Sequence, residues 1–426
     1  MVHLLGCACT GRNRVTEKKM NKKPLAIILA GGEGSRLQPL TKFRAKPSVP
    51  FGGKYRIIDF TLTNCLHSGL RRILVLTQYK SHSLHKHLRD GWSVFNPELG
   101  EYITPVPAQM QNGNMWYQGT ADAIYQNNYI LERCDADLTI ILSGDHIYRM
   151  DYAAMLDTHK YLAADVTVAC MKVPVNEASQ FGIVSTDQTQ KILKFEEKPQ
   201  TVKPCDDDAE YALASMGIYV FSTRLLIDVL EADSKDENSS HDFGNDILPN
   251  LIHSHSVYAH YFGEAKGRVS PDNYWRDVGT IDSYYQANMD LLKSVPPLDL
   301  YQDDWPIRSY QSQTPPARAV PGISGNEGIF INSILSGGTI ISGANVGHSV
   351  LSQNIFIDDG SMIENSVIFD HVSIGKNVKL NKCIVDKNVS IPSGESIGYD
   401  LAKDRKRFTV TESGIVVIPK GYNFDQ

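Results

Sequence analysis

The sequence lacks several features that would place it in other classes of protein. It has no run of eighteen apolar residues, so it offers no candidate for a membrane-spanning helix. Its formal charge is nearly balanced, at −6 with 21% charged residues, so no basic field points to nucleic acid or to an acidic membrane. Its seven cysteines are scattered and show no C-x-x-C metal spacing, which indicates a reducing compartment. The sequence therefore predicts a cytoplasmic protein without a membrane or nucleic-acid partner.

The first part of the chain differs from the rest. At 426 residues the chain is long enough for two or three domains. The string LLGC at residues 4–7 superficially resembles a lipoprotein cleavage box, but too few residues precede the cysteine for a signal peptide. We expect residues 1–23 to be a disordered or misassigned leader, in which Cys7 and Cys9 are at most exposed thiols.

Residues 25–53 carry the strongest local signal. The apolar run LAIILA at 25–30 is typical of a strand buried on both faces of a parallel sheet, and GGEGSR follows it directly. Glycines let the backbone turn sharply and bring N–H groups close to an anion, and spaced cations suit phosphate. A turn that only reverses the chain is the alternative. The candidate polyphosphate cradle consists of Gly31, Gly32, Gly34, Arg36 and Lys46.

The spacing of these glycines fits neither the dinucleotide nor the P-loop template. The whole string, GGxGxRLxPLTxxxAKPxxP, instead resembles the opening of the sugar-1-phosphate nucleotidyltransferases. Its continuation, FGGKYRIIDF at 51–60 and TNC at 63–65, resembles the glucose-1-phosphate adenylyltransferase branch. The resemblance covers residues 24–426. It implies a Rossmann-like mixed α/β sheet domain, ATP and α-D-glucose 1-phosphate as substrates, Mg²⁺ as cofactor, small-molecule allosteric effectors and a homotetramer.

The next segment alternates strand and helix patterns. Residues 73–76 predict a strand and residues 81–89 a helix that carries His82, His85 and His87. These histidines could be metal ligands, but a solvated helix face or a phosphate-facing cluster is favoured because no cysteine or close carboxylate accompanies them. Residues 96–118 are interpreted as a long loop.

A loop with two aromatic residues precedes the next predicted helix. Thr120 is the expected N-cap of a helix that runs to about residue 134, with Asp122 in its first turn. The resemblance implies that this loop faces the nucleotide; without it, aromatic packing at a helix start would be the default interpretation. The residues it implies are Tyr117, Gly119 and Gln78 for substrate binding, with Gln78 and Trp116 also linking to the effector site.

Two aspartates are the candidate metal ligands. Asp145 follows the predicted strand 138–142, at the carboxyl edge where open α/β sheets bind ligands. Asp277 lies in YWRDVGT, just before a helix that starts near Ile281 with Thr280 as its cap. Mg²⁺ takes one or two protein carboxylates plus phosphate oxygens, so either residue alone could be a surface charge, but the pair suits the metal of ATP.

The sugar half is predicted between these aspartates. FGIV at 181–184 and KFEEKP at 194–199 resemble family motifs, as does the strand 214–221 with Ser215 at its head. A lysine can neutralise the sugar phosphate and a glutamate can accept bonds from hydroxyls, although a charged strand end is more often only solvated. Residues 233–246 are polar and predicted to be a loop without an assigned role. The resemblance implies contacts to glucose 1-phosphate from Gly182, Glu197, Lys198 and Ser215.

The C-terminal part of the chain has a different pattern. The catalytic domain is predicted at 24–293 and a proline-rich linker, tied down by Trp305 and Tyr310, at 294–322. Residues 323–426 are predicted to form a left-handed parallel β-helix of about four coils with a 17-residue register. A turn column holds Gly343, Gly360, Asn377 and Gly394. The inward aliphatic positions are Ile334, Ile340, Val346, Leu351, Ile357, Ile363, Ile368, Ile374, Leu380, Val385, Ile391 and Ile397.

Three alternatives remain open at this point. A sister enzyme could use another nucleoside triphosphate, and a non-catalytic regulatory subunit could share the fold. A β-helix acyltransferase is the third, and His348 and His371 lie in different columns without an evident carboxylate partner. Phe43 stands where members of the family activated by fructose 1,6-bisphosphate carry a lysine, so we expect allostery with a weak response to that effector.

Overall fold

The computed structural model describes residues 23–109, 116–205, 208–264, 268 and 273–424. The predicted leader, with Cys7 and Cys9, lies outside these residues except for Lys23. The described chain forms a mixed α/β sheet domain followed by a three-sided parallel β-helix, which confirms the predicted fold class. Within the described ranges, no helix combines the length and apolar character that crossing a bilayer requires.

The predicted strand Leu25–Ala30 is confirmed and lies at the centre of the sheet. It pairs in parallel with Leu138–Ser143 on one side and Arg72–Thr77 on the other. Because these strands run the same way, the loops that follow them meet at one edge of the sheet. The order across the sheet is Ile192–Glu197, Gly182–Thr186, Tyr211–Ser222, Leu138–Ser143, Leu25–Ala30, Arg72–Thr77 and Tyr102–Pro107; Val166–Pro174 also pairs with Tyr211–Ser222, and Val257–Tyr261 with Val166–Pro174.

Side chains of the central strand alternate between two apolar cores, as expected for a strand covered on both faces. Leu25 and Ile27 pack in one core, and Ala26 and Ile28 pack in the other. The loops at the carboxyl edge are therefore held by a strand that is fixed from both sides. The α-helices that the structure describes are Ile57–His67, His82–Gly91, Thr120–Tyr125, Asn128–Arg133, Tyr152–Tyr161, Val175–Ala178, Thr223–Asp233, Leu248–Leu251, Ile281–Asp290 and Leu401–Asp404.

The long loop predicted over residues 96–118 is wrong in its first half. Pro97–Leu99 forms a 3₁₀ turn, and Tyr102–Pro107 is a strand that pairs in parallel with Arg72–Thr77. This strand lies at the edge of the sheet. An edge strand tolerates proline, because a position without an N–H can face the open side. The strand was therefore missed because its prolines are typical of loops and are tolerated here only at the edge of the sheet.

The single helix predicted from Thr120 is two short helices, Thr120–Tyr125 and Asn128–Arg133. Gly119, not Thr120, occupies the N-cap position. The hydroxyl of Thr120 instead donates to Asp242 Oδ2 at 2.9 Å. The predicted cap was wrong because this hydroxyl has a tertiary partner that local sequence does not show.

The histidines of the helix His82–Gly91 occupy different environments. His82 is exposed, as a solvated helix face predicts. His85 Nε2 lies 2.8 Å from the hydroxyl of a strand threonine. His87 is buried, with Nε2 2.5 Å from Asp59 Oδ1. The solvated-face and phosphate-facing interpretations are therefore wrong for His87, which serves a buried hydrogen-bond network.

Two contacts anchor the predicted linker to the sheet domain, and one of them belongs to that network. Trp305 is fully buried, as predicted for an anchor, and donates from Nε1 to Asn64 Oδ1 at 3.1 Å. Tyr310 is 44% exposed and anchors the segment less than predicted. The second anchor is Ser309, whose hydroxyl donates to Asp59 Oδ2 at 2.6 Å.

The β-helix consists of three sheets with five parallel strands each, which is more than the predicted four coils. The predicted turn column is confirmed: Gly343, Gly360, Asn377 and Gly394 have φ values of 61°, 73°, 57° and 81°. The first strand, Arg318–Val320, lies within the predicted linker. The sheets contain Arg318–Val320, Ile340–Ser342, Phe356–Ile357, Ser373–Ile374 and Ser390–Ile391; Ile329–Ile331, Asn345–Gly347, Met362–Glu364, Lys379–Asn381 and Ser396–Ile397; and Ile334–Leu335, Val350–Leu351, Val367–Ile368, Cys383–Val385 and Val416–Ile418, the last joined by antiparallel Thr409–Val410.

In the first coil of the prediction, the inward positions at Ile334 and Ile340 are wrong by one residue. Leu335 and Ile341 occupy those columns, because they pair with the inward residues of the next coil. Each predicted residue has an equally aliphatic neighbour, so periodicity alone could not choose between them. Ile334 instead packs against a core that the β-helix shares with the sheet domain.

A buried ion pair also joins the two parts of the chain. Arg44 lies in the segment that leads to Lys46, and its guanidinium is 2.8 Å from Asp386 Oδ1 in the β-helix. Both side chains are almost fully buried. Removing one partner of such a pair leaves an uncompensated buried charge, so the pair fixes the relative position of its two segments.

Candidate active site

A cleft of about 590 Å³ opens at the carboxyl edge of the sheet. Its lining comes from stretches that are far apart in the sequence, so the fold assembles it rather than any single motif. The predicted residues that line it are Gly31, Gly32, Gly34, Arg36, Lys46, Gln78, Tyr117, Gly119, Asp145 and Glu197. The predicted residues outside the lining are Trp116, Gly182, Lys198, Ser215 and Asp277.

The glycine loop needs glycine at one position above all. Gly34 has φ 66°, in the left-handed region that L side chains rarely adopt. A Cβ atom there would also lie 3.1 Å from Thr41 Cγ2 and 3.2 Å from Lys46 Cβ. The turn brings Arg36 next to Gly279, where a Cβ atom would be 3.1 Å from the guanidinium. The loop thus places one cation at the opening of the cleft.

Lys46 lies between the two predicted metal ligands. Its Nζ atom is 2.8 Å from Asp145 Oδ2 and 2.8 Å from Asp277 Oδ1. Burial alone would lower the pKa of Lys46, but the two carboxylates outweigh it and raise the pKa. Burial would raise the pKa of Asp145, but the ammonium group of Lys46 and the nearby His146 hold it well below its usual range. Lys46 and Asp145 are therefore charged at neutral pH.

Strand pairing explains how Asp277 reaches Asp145 across the chain. Trp275–Asp277 forms a two-stranded antiparallel sheet with His146–Tyr148, and its register places Asp277 opposite His146. The predicted helix after it is confirmed as Ile281–Asp290, with Thr280 as its N-cap. The cap and the strand together fix the Asp277 carboxylate at the cleft.

The residues present fit a divalent metal ion. Asp145, His146 and Asp277 each offer one ligand atom, and these atoms lie within 4.8 Å of one another. Burial lowers the pKa of His146, and the carboxylates of Asp145 and Asp277 oppose that shift. Its buried Nδ1 atom has no hydrogen-bond partner among the described residues. His146 was not among the predicted ligands, because only the paired strands show that it adjoins both carboxylates.

On the other side of the cleft, Glu197 projects from the end of the strand Ile192–Glu197. Lys198 Nζ lies 2.9 Å from Glu197 Oε1, and the lysine side chain is 65% exposed. Ser215 was predicted at the head of its strand, but the strand begins four residues earlier, at Tyr211. Ser215 lies where the register with the neighbouring strand shifts, and its Oγ accepts from Gly217 N at 3.3 Å.

Of the predicted nucleotide-facing residues, Gln78 lies against the glycine loop. A Cβ atom on Gly31 would lie 3.3 Å from Gln78 Cβ, so the two loops are in contact. Tyr117 lines the cleft, and its hydroxyl accepts from Asn127 Nδ2 at 3.0 Å. Trp116 lies outside the lining, where its ring stacks on Tyr79 with a centroid distance of 5.7 Å.

Sequence reasoning missed part of the cleft in residues 233–246. Asp233 ends a helix, and Phe243–Ile247 forms a π-helical turn, so the stretch is not a simple loop. Asp242, Phe243 and Gly244 line the cleft. A polar composition of this kind is typical of loops, and no local pattern places it beside the cleft.

Two family models match the chain. The model described as nucleotidyl transferase matches residues 25–294, which hold the cleft. The model described as GlmU-like, C-terminal hexapeptide matches residues 315–418. The second match agrees with the left-handed parallel β-helix predicted for this part of the chain.

The chain is also similar to curated proteins over almost its whole length. It is 59% identical to glucose-1-phosphate adenylyltransferase 2 of Vibrio cholerae over 400 residues, which cover 94% of this chain and 98% of the relative. It is 61% identical to the protein of the same name from Vibrio parahaemolyticus, with 94% and 99% covered. It is 49% identical to glucose-1-phosphate adenylyltransferase of Methylobacillus flagellatus, with 94% of each chain covered.

Proposed function

The chain belongs to the glucose-1-phosphate adenylyltransferases, and we propose that the cleft at the carboxyl edge of its sheet is the site of the reaction. The enzyme transfers the adenylyl group of ATP to α-D-glucose 1-phosphate, giving ADP-glucose and pyrophosphate. The observation that supports the site most strongly is the ammonium group of Lys46 between the carboxylates of Asp145 and Asp277. These charges adjoin a glycine loop suited to phosphate.

In the proposed mechanism, a phosphate oxygen of glucose 1-phosphate attacks the α-phosphorus of ATP. The new P–O bond forms as the bond from that phosphorus to the bridging oxygen of pyrophosphate breaks. The nucleophile is already an anion, so no general base is required. The residues must align two polyanions and neutralise their charge. Backbone N–H groups of the glycine loop, with Arg36 and Lys46, supply that alignment and charge.

We propose that Asp145 and Asp277 hold Mg²⁺, with His146 beside them. Carboxylate oxygens are the protein ligands that Mg²⁺ prefers, and Asp145 and Asp277 each offer one in the cluster. When bound, Mg²⁺ supplies positive charge to the phosphates of ATP and to the departing pyrophosphate. Lys46 keeps the Asp145 carboxylate ionised, and its two ion pairs orient both carboxylates.

Three alternatives are less well supported. A non-catalytic regulatory subunit would be expected to have lost cradle cations or a metal carboxylate, and this chain has Arg36, Lys46, Asp145 and Asp277 together. A β-helix acyltransferase would leave the charged cleft of the sheet domain without a role. A sister enzyme that uses another nucleoside triphosphate is distinguished by comparing pyrophosphate release with ATP, UTP, GTP and dTTP.

For the sugar half, we propose that Glu197 accepts from glucose hydroxyls and that Lys198 faces the sugar phosphate, with Gly182 and Ser215 as further contacts. The support is the position of Glu197 in the lining of the cleft and the 2.9 Å ion pair that ties Lys198 to it. The 65% exposure of Lys198 leaves its ammonium group free to reach a ligand.

Lys198→Ala is expected to raise KM for glucose 1-phosphate about 10- to 100-fold, because losing one charge-assisted contact costs about 1.5–3 kcal/mol. KM for ATP should stay within about threefold, because the contact acts only on the sugar phosphate. Steady-state kinetics with each substrate varied in turn measure both values. Lys194→Ala is the matched control, since Lys194 is 61% exposed and forms a similar 2.8 Å pair with Glu196. Equal effects on the two substrates would contradict the placement of Lys198.

We propose that the enzyme is allosteric and that Gln78 and Trp116 connect the cleft to an effector site. Phe43 is 58% exposed and carries no charge for a phosphate. Arg44, which could have compensated, is engaged by Asp386 in the buried pair. A weak response to fructose 1,6-bisphosphate therefore remains our expectation.

Phe43→Lys should lower the concentration of fructose 1,6-bisphosphate that gives half-maximal activation by about tenfold or more, as one added charge-assisted contact implies. Phe43→Gln, which removes the ring without adding charge, is the control and should leave activation unchanged. The measurement is initial rate against effector concentration. Activation of the unmodified enzyme by micromolar fructose 1,6-bisphosphate would show that other residues form the effector site.

We also propose a homotetramer in which the first coil of the β-helix contacts a second copy. Ile329 and Ile331 are 42% and 64% exposed on an edge strand. The outward residues that pair with them in the next coil are Asn345 and Gly347. Apolar side chains at outward positions suit a surface that is covered in the assembly. Light scattering of the purified protein checks the mass, and a monomer would contradict the proposal.

The scattered cysteines support the proposal that the enzyme works in a reducing cytoplasm. Four of the described cysteines, Cys65, Cys134, Cys170 and Cys383, are free thiols, and burial raises the pKa of each of these four. Thiols of this kind are unreactive. The described cysteines are Cys65, Cys134, Cys170, Cys205 and Cys383.

A further inference from the structure

The stretch SSHDFGND at residues 239–246 has no part in the proposed mechanism, yet it forms one side of the cleft. Gly244 lies in the π-helical turn Phe243–Ile247. Its backbone does not have a φ in the left-handed region, so the conformation itself does not require glycine. Another feature must explain why position 244 is a glycine.

The reason is the distance from Gly244 to the Glu197 carboxylate. A Cβ atom on Gly244 would lie 2.5 Å from Glu197 Oε2 and 3.1 Å from Glu197 Cδ. The first distance is shorter than real Cβ contacts show, and the second is tight enough that the neighbouring group must shift. An alanine at this position would therefore displace the carboxylate or the turn that carries the alanine.

A second glycine holds the same oxygen from another direction. A Cβ atom on Gly182 would lie 2.7 Å from Glu197 Oε2. The other carboxylate oxygen, Oε1, lies 2.9 Å from Lys198 Nζ. Glu197 is thus bounded by two glycines and one cation where it lines the cleft.

The turn that carries Gly244 is itself fixed and cannot easily move away. Asp242 Oδ1 accepts from the N–H groups of Gly244 and Asn245, at 2.9 and 3.1 Å. Its other oxygen, Oδ2, accepts from the hydroxyl of Thr120 at 2.9 Å. The carbonyl of His241 accepts from Ala121 N at 2.8 Å, on the loop that faces the nucleotide half of the cleft.

From this geometry we propose that Gly244 is a positioning residue for sugar recognition that acts through Glu197. Its bare backbone sets the position from which the Glu197 carboxylate accepts hydrogen bonds from the hydroxyls of glucose 1-phosphate. The inference rests on the proposed contact between Glu197 and the sugar. It gives the otherwise unassigned stretch 239–246 a role in substrate specificity.

Gly244→Ala in the full-length enzyme is expected to raise KM for glucose 1-phosphate about 10- to 100-fold, the effect of losing a hydrogen bond to a charged group. KM for ATP should stay within about threefold. Gly347→Ala is the matched control, because a Cβ atom there meets nothing within 4 Å and the position lies in the β-helix. It should leave both constants unchanged.

The same substitution in a Glu197→Ala background separates positioning from a general structural role. With no carboxylate to displace, Gly244→Ala should change KM for glucose 1-phosphate by less than about twofold, and the double variant should melt at the temperature of Glu197→Ala. Full additivity, or failure of the double variant to fold, would overturn the inference. If Glu197→Ala alone leaves that KM unchanged, the proposed sugar contact is wrong and the inference falls with it. If Glu197→Ala raises KM but Gly244→Ala does not, only the inference is overturned.

Discussion

Asp145→Asn is expected to lower kcat by about three orders of magnitude, or about 4 kcal/mol of transition-state stabilisation, with little change in fold. Asparagine keeps the size of the side chain but removes one of the two charges proposed to hold Mg²⁺. Lys46 retains its contact to Asp277, so the segment that carries it should stay in place. The effect should fall mainly on kcat, because the charge acts most strongly as pyrophosphate departs.

Pyrophosphate release at saturating substrates measures this loss, and the melting temperature checks the fold. Asp157→Asn is the control, because Asp157 is 79% exposed on a surface helix. A variant that retains more than about a tenth of wild-type turnover, a loss of only about 1.4 kcal/mol, would exclude Asp145 from the metal site.

Lys46→Met is expected to lower kcat by about 10²- to 10³-fold, the cost typical of removing one preorganised charge from a transition-state site. Methionine retains an apolar stem of similar length, so the change removes the ammonium group with little loss of packing. Without that group, the carboxylates of Asp145 and Asp277 lose the ammonium group that pairs with both of them. Both the neutralisation of phosphate and the orientation of the carboxylates should suffer.

The matched control for this variant is Lys160→Met, since Lys160 is 51% exposed beside Asp157. kcat and the two KM values should be measured for both variants at saturating Mg²⁺. A Lys46→Met enzyme with kcat within about threefold of wild type would mean that the ion pairs of Lys46 serve the fold rather than the reaction.

The sequence predicted those elements for which local pattern and tertiary environment agree. Leu25–Ala30 is apolar because both faces of the strand are buried, and the turn column at Gly343 and Gly360 is glycine because the backbone there is left-handed. In each case one physical requirement determines the residue type. The residue pattern therefore predicts the element directly.

The sequence failed where a partner distant in the chain decides the outcome. His87 looks like a solvated helix residue, but the buried carboxylate of Asp59 binds it. Thr120 looks like a helix cap, but Asp242 takes its hydroxyl. In the first coil of the prediction, adjacent aliphatic residues made two registers equally apolar, and only the strand pairing at Ile341 selects one. No local periodicity contains that information.

In the candidate site, too, some residues follow from local sequence and others depend on distant partners. Asp145 was predicted from its position after a strand, because parallel topology makes that edge a ligand site. The approach of Asp277 to it depends on the antiparallel pairing with His146, which no motif reveals. Gly244 was missed because its importance lies in the space that Glu197 needs, and a missing side chain leaves no signal in composition.

The most direct test of the central claim is a coupled assay of pyrophosphate release with glucose 1-phosphate and each of ATP, UTP, GTP and dTTP. The purified full-length chain should be used alone, with Mg²⁺ present. We expect ATP to give a kcat/KM at least about 100-fold above that of each other nucleotide, with ADP-glucose as the product. Turnover with UTP, GTP or dTTP equal to or above that with ATP would contradict the account, as would no turnover with any of the four.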